Sequence, residues 1–209
     1  GASRYRTALT GREAHSSMAH IGVNAIHYAG LLIAELFSIE AELRNGRRDE
    51  RFTPPYTTLQ IGMIEGGRAQ NIVPRHCAFS WEIRVIPGDD PQPQLERLRR
   101  YADDVCLPAM RQVAVDAAIE TQQMNHVPAF LSGNGSEAVS LALNLSGQNL
   151  TYAVSYGTEA GLFQLGGAPS VICGPGDIAQ AHTPDEWILP SELDRCLGFL
   201  DRLTVMARS

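Results

Sequence analysis

No apolar stretch in this 209-residue chain approaches the roughly 20 residues that a membrane-crossing helix needs. The opening Gly1-Ala2-Ser3-Arg4 leads into no apolar h-region, so it does not read as a secretory signal. It also lacks an initiating Met, and the expectation is a fragment of a longer protein. Cysteine is scarce and scattered: Cys77, Cys106, Cys173 and Cys196 form no C-x-x-C pair. That usage predicts reduced, mostly buried thiols in a cytoplasmic protein. Basic residues number 17 against 23 acidic ones, for a net charge of −6, and they are dispersed, which argues against a nucleic-acid partner. The densest basic group is Arg44, Arg47 and Arg48, broken by Gly46 and followed by Asp49 and Glu50, and it reads as a solvated loop. There is no internal repeat and no low-complexity tract. Six histidines occur, but neither the H-E-x-x-H nor the H-x-D metal spacing does.

What is present suffices for a folded protein. Hydrophobic residues make up 44% and charged residues 19%, enough for one ordinary domain or two small ones with a core. Residues 4–10 read as a short strand. Gly22 and Asn24 open a helix with Ile26, Ala29, Ile33 and Leu36 on one stripe, fading at Asn45-Gly46. Leu59, Ile61 and Met63 alternate as a strand. Cys77, Phe79, Trp81, Ile83 and Val85 alternate more clearly still, giving a strand with one buried face. Leu95, Leu98, Ala102 and Val105 predict a helix that Pro108 stops, and Val113, Val115 and Ala117 a further strand. The order βαββαβ over residues 3–122 is that of a ferredoxin-like two-layer domain.

Residues 123–209 read differently. Helices are predicted over 136–145, from 157–160, and from Pro190 onward with Leu193, Leu197, Leu200 and Val205 inward. Short strands are predicted at 150–156 and 170–173. These few strands make a thin domain, expected to be part of a larger α/β one.

His182 follows the turn Cys173-Gly174-Pro175-Gly176 and precedes Thr183-Pro184-Asp185-Glu186. Strand ends in open α/β sheets are where ligands bind, and a neutral His there is a candidate metal ligand. His15, in Gly11-Arg12-Glu13-Ala14-His15-Ser16-Ser17, lies between a strand and a helix. It either presents a catalytic ring or caps the following helix. Arg84 either meets a ligand or pairs with Glu82 or another surface acid. Asn71 sits in a turn where Asn is common for local reasons. His20, His27, His76 and His126 carry no signal that raises them.

Four segments, in order, resemble the M20 metallopeptidase family: Gly11 to Ser17 with Gly22 to Ile26; Pro55 to Leu59 with Gly66-Gly67 and Gln70 to Pro74; Glu82 to Gly88; and Tyr156 to Ala160 with Gly174 to Glu186. The last is the most specific and favours the branch that deacetylates acetylornithine. The resemblance implies a lid, or dimerisation, domain over 3–122, followed over 123–209 by the C-terminal part of a three-layer αβα zinc-hydrolase catalytic domain. The fold class is thus mixed α/β and α+β. The H-x-D pair, the bridging Asp and the paired Glu residues of the family are not in this chain. The fragment itself is therefore expected to be inactive and to bind no stoichiometric zinc. The complete enzyme is expected to use one or two Zn²⁺ per subunit, with Co²⁺ as a substitute.

Carried over residue by residue, His182 resembles a terminal metal ligand. His15 resembles the lid His that reaches the partner subunit's site and stabilises the oxyanion. Asn71 and Arg84 resemble the residues that hold the substrate carboxylate. Met18-Ala19-His20 departs from the proline-containing stretch usual after the His-Ser-Ser run. The implied reaction is hydrolysis of an N-acyl amino acid, N-acetylornithine first, to ornithine and acetate in arginine biosynthesis. The implied partners are that small-molecule substrate and a second copy of the chain, joined through the lid domain. A dipeptidase, a succinyl-diaminopimelate desuccinylase, or a module that only dimerises are the competing readings.

Overall fold

The alternating segment read from the sequence becomes the centre of a four-stranded sheet. The structure, a computed structural model, describes residues 1–133, 135–181 and 183–208. It divides into two compact units, Gly1–Ala129 with Ala153–Gly157, and Phe130–Tyr152 with Thr158–Ser209.

In the first unit, β1 (Ala2–Thr10) leads to the two-residue β2 (Ala14–His15) and a 3₁₀ helix (Ser16–Ile21). There follow α1 (Ala25–Arg44), β3 (Thr58–Gly66), the two-residue β4 (Ile72–Val73) and β5 (His76–Arg84). A helical rod then leads to β6 (Ala118–Val127). The sheet order is β3-β5-β1-β6, with every neighbouring pair antiparallel. With the long strands numbered one to four in chain order, this is the interleaved 4-1-3-2 arrangement of two split βαβ units, as expected of a ferredoxin-like domain.

The helices cover one face of the sheet. Tyr5 and Leu9 of β1 and Phe79, Trp81 and Ile83 of β5 share a core with Leu32, Leu36 and Ile39 of α1 and with Leu95, Leu98, Cys106 and Met110 of the rod. Tyr5 and Trp81 lie directly opposite in the ladder and stack with ring centroids 4.3 Å apart. Trp81 also satisfies its indole, donating Nε1–H to Thr7 Oγ1 at 3.1 Å. Asn24 starts α1 as anticipated, its Oδ1 accepting from the N–H groups of Ile26 and His27 at 2.9 and 3.2 Å. The buried stripe of α1 is Ala25, Ala29, Leu32, Leu36 and Ile39, rather than one led by Ile26 and Ile33.

Three details differ from the sequence expectation, each for a local reason. The ladder register between β3 and β5 shifts between Ile61 and Met63. The bulge at Gly62 places Met63 opposite Ser80, on the face away from Leu59 and Ile61, and leaves it 73% exposed. Pro108 does not stop its helix. Instead α2 (Gln92–Tyr101) runs through a π turn (Ala102–Cys106) into α3 (Leu107–Arg111). There the Leu107 N–H donates five residues back, to Ala102 O. A wider turn just before a proline relieves the lost i→i−4 bond and the ring's collision with the carbonyl behind it. It also rotates the helix, so Cys106 is fully buried and Val105 is 47% exposed. Finally, Val113 and Val115 lie in an exposed turn, and the last strand begins only at Ala118. That strand is polar along most of its length. It is held by its backbone ladder to β1 and by the Thr7–Thr121 hydroxyl pair at 3.0 Å, with Ile119 near its start packing against the core.

The second unit holds α4 (Glu137–Ser146), α5 (Ala160–Leu165), a 3₁₀ turn (Ile178–Gln180) and α6 (Pro190–Arg208). The strands expected at 150–156 and 170–173 do not form. An apolar extended segment becomes a strand only beside another, and no ladder partner occurs among the described residues. α6 packs on α4, and Arg202 Nε donates to Leu145 O at 2.6 Å. The predicted inward positions Leu193, Leu197, Leu200 and Val205 are all exposed.

Candidate functional site

β2 and β4 form a separate two-stranded ladder just beyond one end of the main sheet, pairing His15 with Ile72 and Ala14 with Val73. Gly11 N donates to Arg75 O at 2.6 Å and Ser16 N to Asn71 O at 2.9 Å. The ladder thus brings His15 and Asn71, 56 positions apart in sequence, to adjoining backbone positions.

His15 does cap the following 3₁₀ helix: its Nδ1 accepts from the Ser17 N–H at 3.2 Å and lies 2.8 Å from Ser17 Oγ. A backbone N–H can only donate, so Nδ1 is the acceptor and the ring proton sits on Nε2. The capping reading of His15 is thus the one observed. The cap fixes the ring, and an exposed Nε2–H is left free to donate outward. Ser17 is the residue that holds the His15 ring through its N–H and hydroxyl. Its signal was its place two residues after the histidine.

Arg84 stands at the opposite end of β5. Eight residues separate it from His76, and at strand rise that is about 25 Å. One chain's Arg84 and Asn71 therefore cannot grip the same small carboxylate. Arg84 does pair with Glu82, donating Nε to Oε1 at 2.7 Å and Nη2 to Oε2 at 3.4 Å, while Arg4 Nε donates to Oε2 at 2.8 Å. Glu82 is only 9% exposed. Burial pushes its carboxyl up, but the bonds from Arg4 and Arg84 outweigh that and leave it below its ordinary value. Arg84 is thus oriented by a buried, ionised acid, and its Nη1 makes no hydrogen bond to a described residue. A guanidinium held on one edge keeps its second edge for another anion.

His182 lies outside the described residues. The turn before it is shaped by a capping box: Asp177 Oδ1 accepts from Ala179 N at 2.8 Å, and Gln180 Oε1 accepts from Asp177 N at 3.0 Å. Among the described residues no group of three or more His, Cys, Asp or Glu converges as metal donors. A catalytic zinc site needs three protein ligands. The described residues do not fit such a site by themselves. Cys77 and Cys106 are buried, and burial raises both thiols, Cys106 to about 11, so neither is a nucleophile at neutral pH.

The family model described as the peptidase dimerisation domain of the M20 peptidases matches residues 1–110, more than half of the chain. The chain belongs to this family. Among curated relatives it is 35% identical over 203 residues to an acetylornithine deacetylase of Myxococcus xanthus, covering 93% of this chain and 50% of that protein. It is 29% identical to another protein of that name from Aliivibrio salmonicida, with the same coverage. The chain spans about half the length of the curated relatives it matches. Among solved structures, a tripeptidase from Staphylococcus aureus superposes with a TM-score of 0.66 at 23% identity, covering 100% of this chain and 52% of that one. An aminopeptidase from Bacillus cereus does so with a TM-score of 0.64 at 22% identity, covering 95% and 50%. At these identities the superpositions show a shared fold. They agree with a mixed α/β M20 architecture matched over half of the larger chains. No helix among the described residues is long and apolar enough to cross a membrane.

Proposed function

We propose that the complete protein is a cytoplasmic, Zn²⁺-dependent M20 hydrolase that deacylates an N-acyl amino acid, with N-acetylornithine the substrate and ornithine and acetate the products. The observation that carries this reading is the 35% identity to the Myxococcus xanthus acetylornithine deacetylase over nearly the whole chain. His182 is the metal ligand that this chain contributes, and one or two ions serve each complete subunit, Co²⁺ being able to substitute. Residues 3–122 act as the lid domain and 123–209 as the C-terminal part of the catalytic domain.

The separation of His15 and Asn71 from Arg84 favours a site shared between two subunits. In a two-fold homodimer, one protomer supplies Arg84 and its partner supplies His15 and Asn71. β3 is an edge strand, and apolar side chains are exposed on it and on α1: Ile64 is 57% and Phe37 58% accessible. Such an edge calls for pairing or cover, and an isologous interface supplies it. In this arrangement the Nε2–H of His15 donates to the oxyanion of the tetrahedral intermediate. Arg84, set by Glu82, and Asn71 hold the α-carboxylate.

The test is deacetylation of N-acetylornithine by the gene's full-length product, beside the variant His15→Ala. Loss of an oxyanion donor typically lowers kcat by about 10²–10³-fold, with KM little changed. A wild type that ignores acetylornithine but cleaves a succinylated substrate or a dipeptide would move the protein to another branch of the family. No hydrolysis of any of these, before or after Zn²⁺ is supplied, would refute the enzymatic reading.

A further inference from the structure

All seventeen basic side chains of this chain are arginines; there is no lysine. Ten of them meet a carboxylate. The other seven have no acidic partner among the described residues, and three of these, Arg12, Arg75 and Arg111, line a single cleft. The cleft lies where β1 leaves the sheet, between the segment Gly11–Glu13 and the turn that joins α3 to β6, and it has a volume of about 480 Å³. That is room for a small metabolite.

Two of the three guanidiniums are set by backbone carbonyls of the turn that joins α3 to β6. Arg12 Nη1 donates to Val113 O at 3.3 Å, and Arg111 Nε donates to Ala117 O at 3.2 Å. Each bond uses one donor and neutralises no charge. Arg75 is anchored through its main chain, its carbonyl accepting from Gly11 N, and its guanidinium makes no hydrogen bond or ion pair to a described residue. Two acids also line the cleft. Glu13 is taken by Arg68 at 2.5 Å. Asp116 has no cationic partner among the described residues and offsets one of the three arginines. The balance is two uncompensated positive charges in a chain whose net charge is −6.

We propose that this cleft binds a small oxyanion carrying two or more negative charges, such as a polycarboxylate or a phosphorylated metabolite. The planar arginine fork matches carboxylate and phosphate oxygens in pairs, and three forks around one cleft favour a multivalent anion over a monovalent one. Every residue involved lies in the first unit. The site is also independent of the proposed hydrolysis, since it is read by binding alone.

Isothermal titration of the chain with pyrophosphate and with citrate, at fixed ionic strength and with acetate as the monovalent control, tests this. The expected result is saturable binding of at least one of the two and none of acetate; which of them binds says whether phosphate or carboxylate oxygens are preferred. Arg75→Gln, whose side chain supports nothing in the fold, should weaken binding about ten-fold or more. Asp116→Asn should strengthen it. Arg99→Gln, an arginine outside the cleft that donates to Thr121 O, should leave it unchanged. No binding of either anion would overturn the proposal. So would an affinity indifferent to both Arg75→Gln and Asp116→Asn, which would place the anion elsewhere.

Discussion

The two units of this chain differ in how far each covers its own apolar faces. The first lays a helical layer across a sheet. Its buried cluster includes Trp81, Tyr5, Phe79 and a row of leucines from two helices. Among its described residues the second has helices and no sheet; Ala142, Leu145 and Gly161 are buried, but α6 buries none of its nineteen described residues. The difference is that strands give helices a continuous surface to cover, whereas α6 meets chiefly another helix. Burial of an apolar face, rather than possession of one, is what fixes a domain.

Several measurements can sharpen or break that contrast. The largest effect is expected for Trp81→Ala, which opens the centre of the first unit and removes the stack on Tyr5. It should cost about 3–5 kcal/mol in denaturant unfolding followed by circular dichroism. A cost under about 1 kcal/mol would mean the core is less tightly packed than the structure shows.

Next comes Glu82→Gln. Glu82 has a depressed carboxyl, so its contribution to stability is present above the unfolded-state value and is lost as pH falls through the folded one. The variant should be destabilised by about 1.5–3 kcal/mol near neutrality. The difference should shrink as pH drops below about 4.5, where an unfolded Glu takes up its proton. A deficit constant across that range would show that the two arginine bonds do not depend on the charge.

The smallest effect belongs to Leu197→Ala on α6, a residue that is 60% exposed, where a change within about 0.5 kcal/mol is expected. A loss comparable to that of Trp81→Ala would show the stripe to be covered in solution, and would erase the distinction between the units. One tryptophan in each unit, buried Trp81 and exposed Trp187, lets fluorescence follow the two separately.

How much of this was legible in sequence depended on how local the cause was. β5 announced itself, because its alternation is enforced by burial against helices. α1 was placed by Asn24, whose side chain acts within three residues. β6 was misplaced, because a polar edge strand is specified by its neighbour's backbone and carries no apolar period of its own. The strands expected in the second unit failed for the converse reason, apolar residues without a ladder partner. At the candidate site, His15 and Arg84 were named from motif and type. The adjacency of His15 to Asn71 was invisible, since it rests on a two-residue ladder between distant segments. The pairing of Arg84 with Glu82 was offered by their spacing on one strand, whereas the second arginine on that acid, Arg4, is a matter of register.

The π turn at Ala102–Cys106 has a consequence for the far end of its rod. A helix turns about 100° per residue, so one surplus residue resets the rotational phase of everything downstream. Leu98 enters the turn facing the core and Met110 leaves it facing the core, an alignment that depends on the surplus being there. Removing a single residue from this stretch would leave α2 in place and swing Arg111 around the axis by about 100°, so that a one-residue deletion in a buried helix would be felt as a lost charge at a surface cleft.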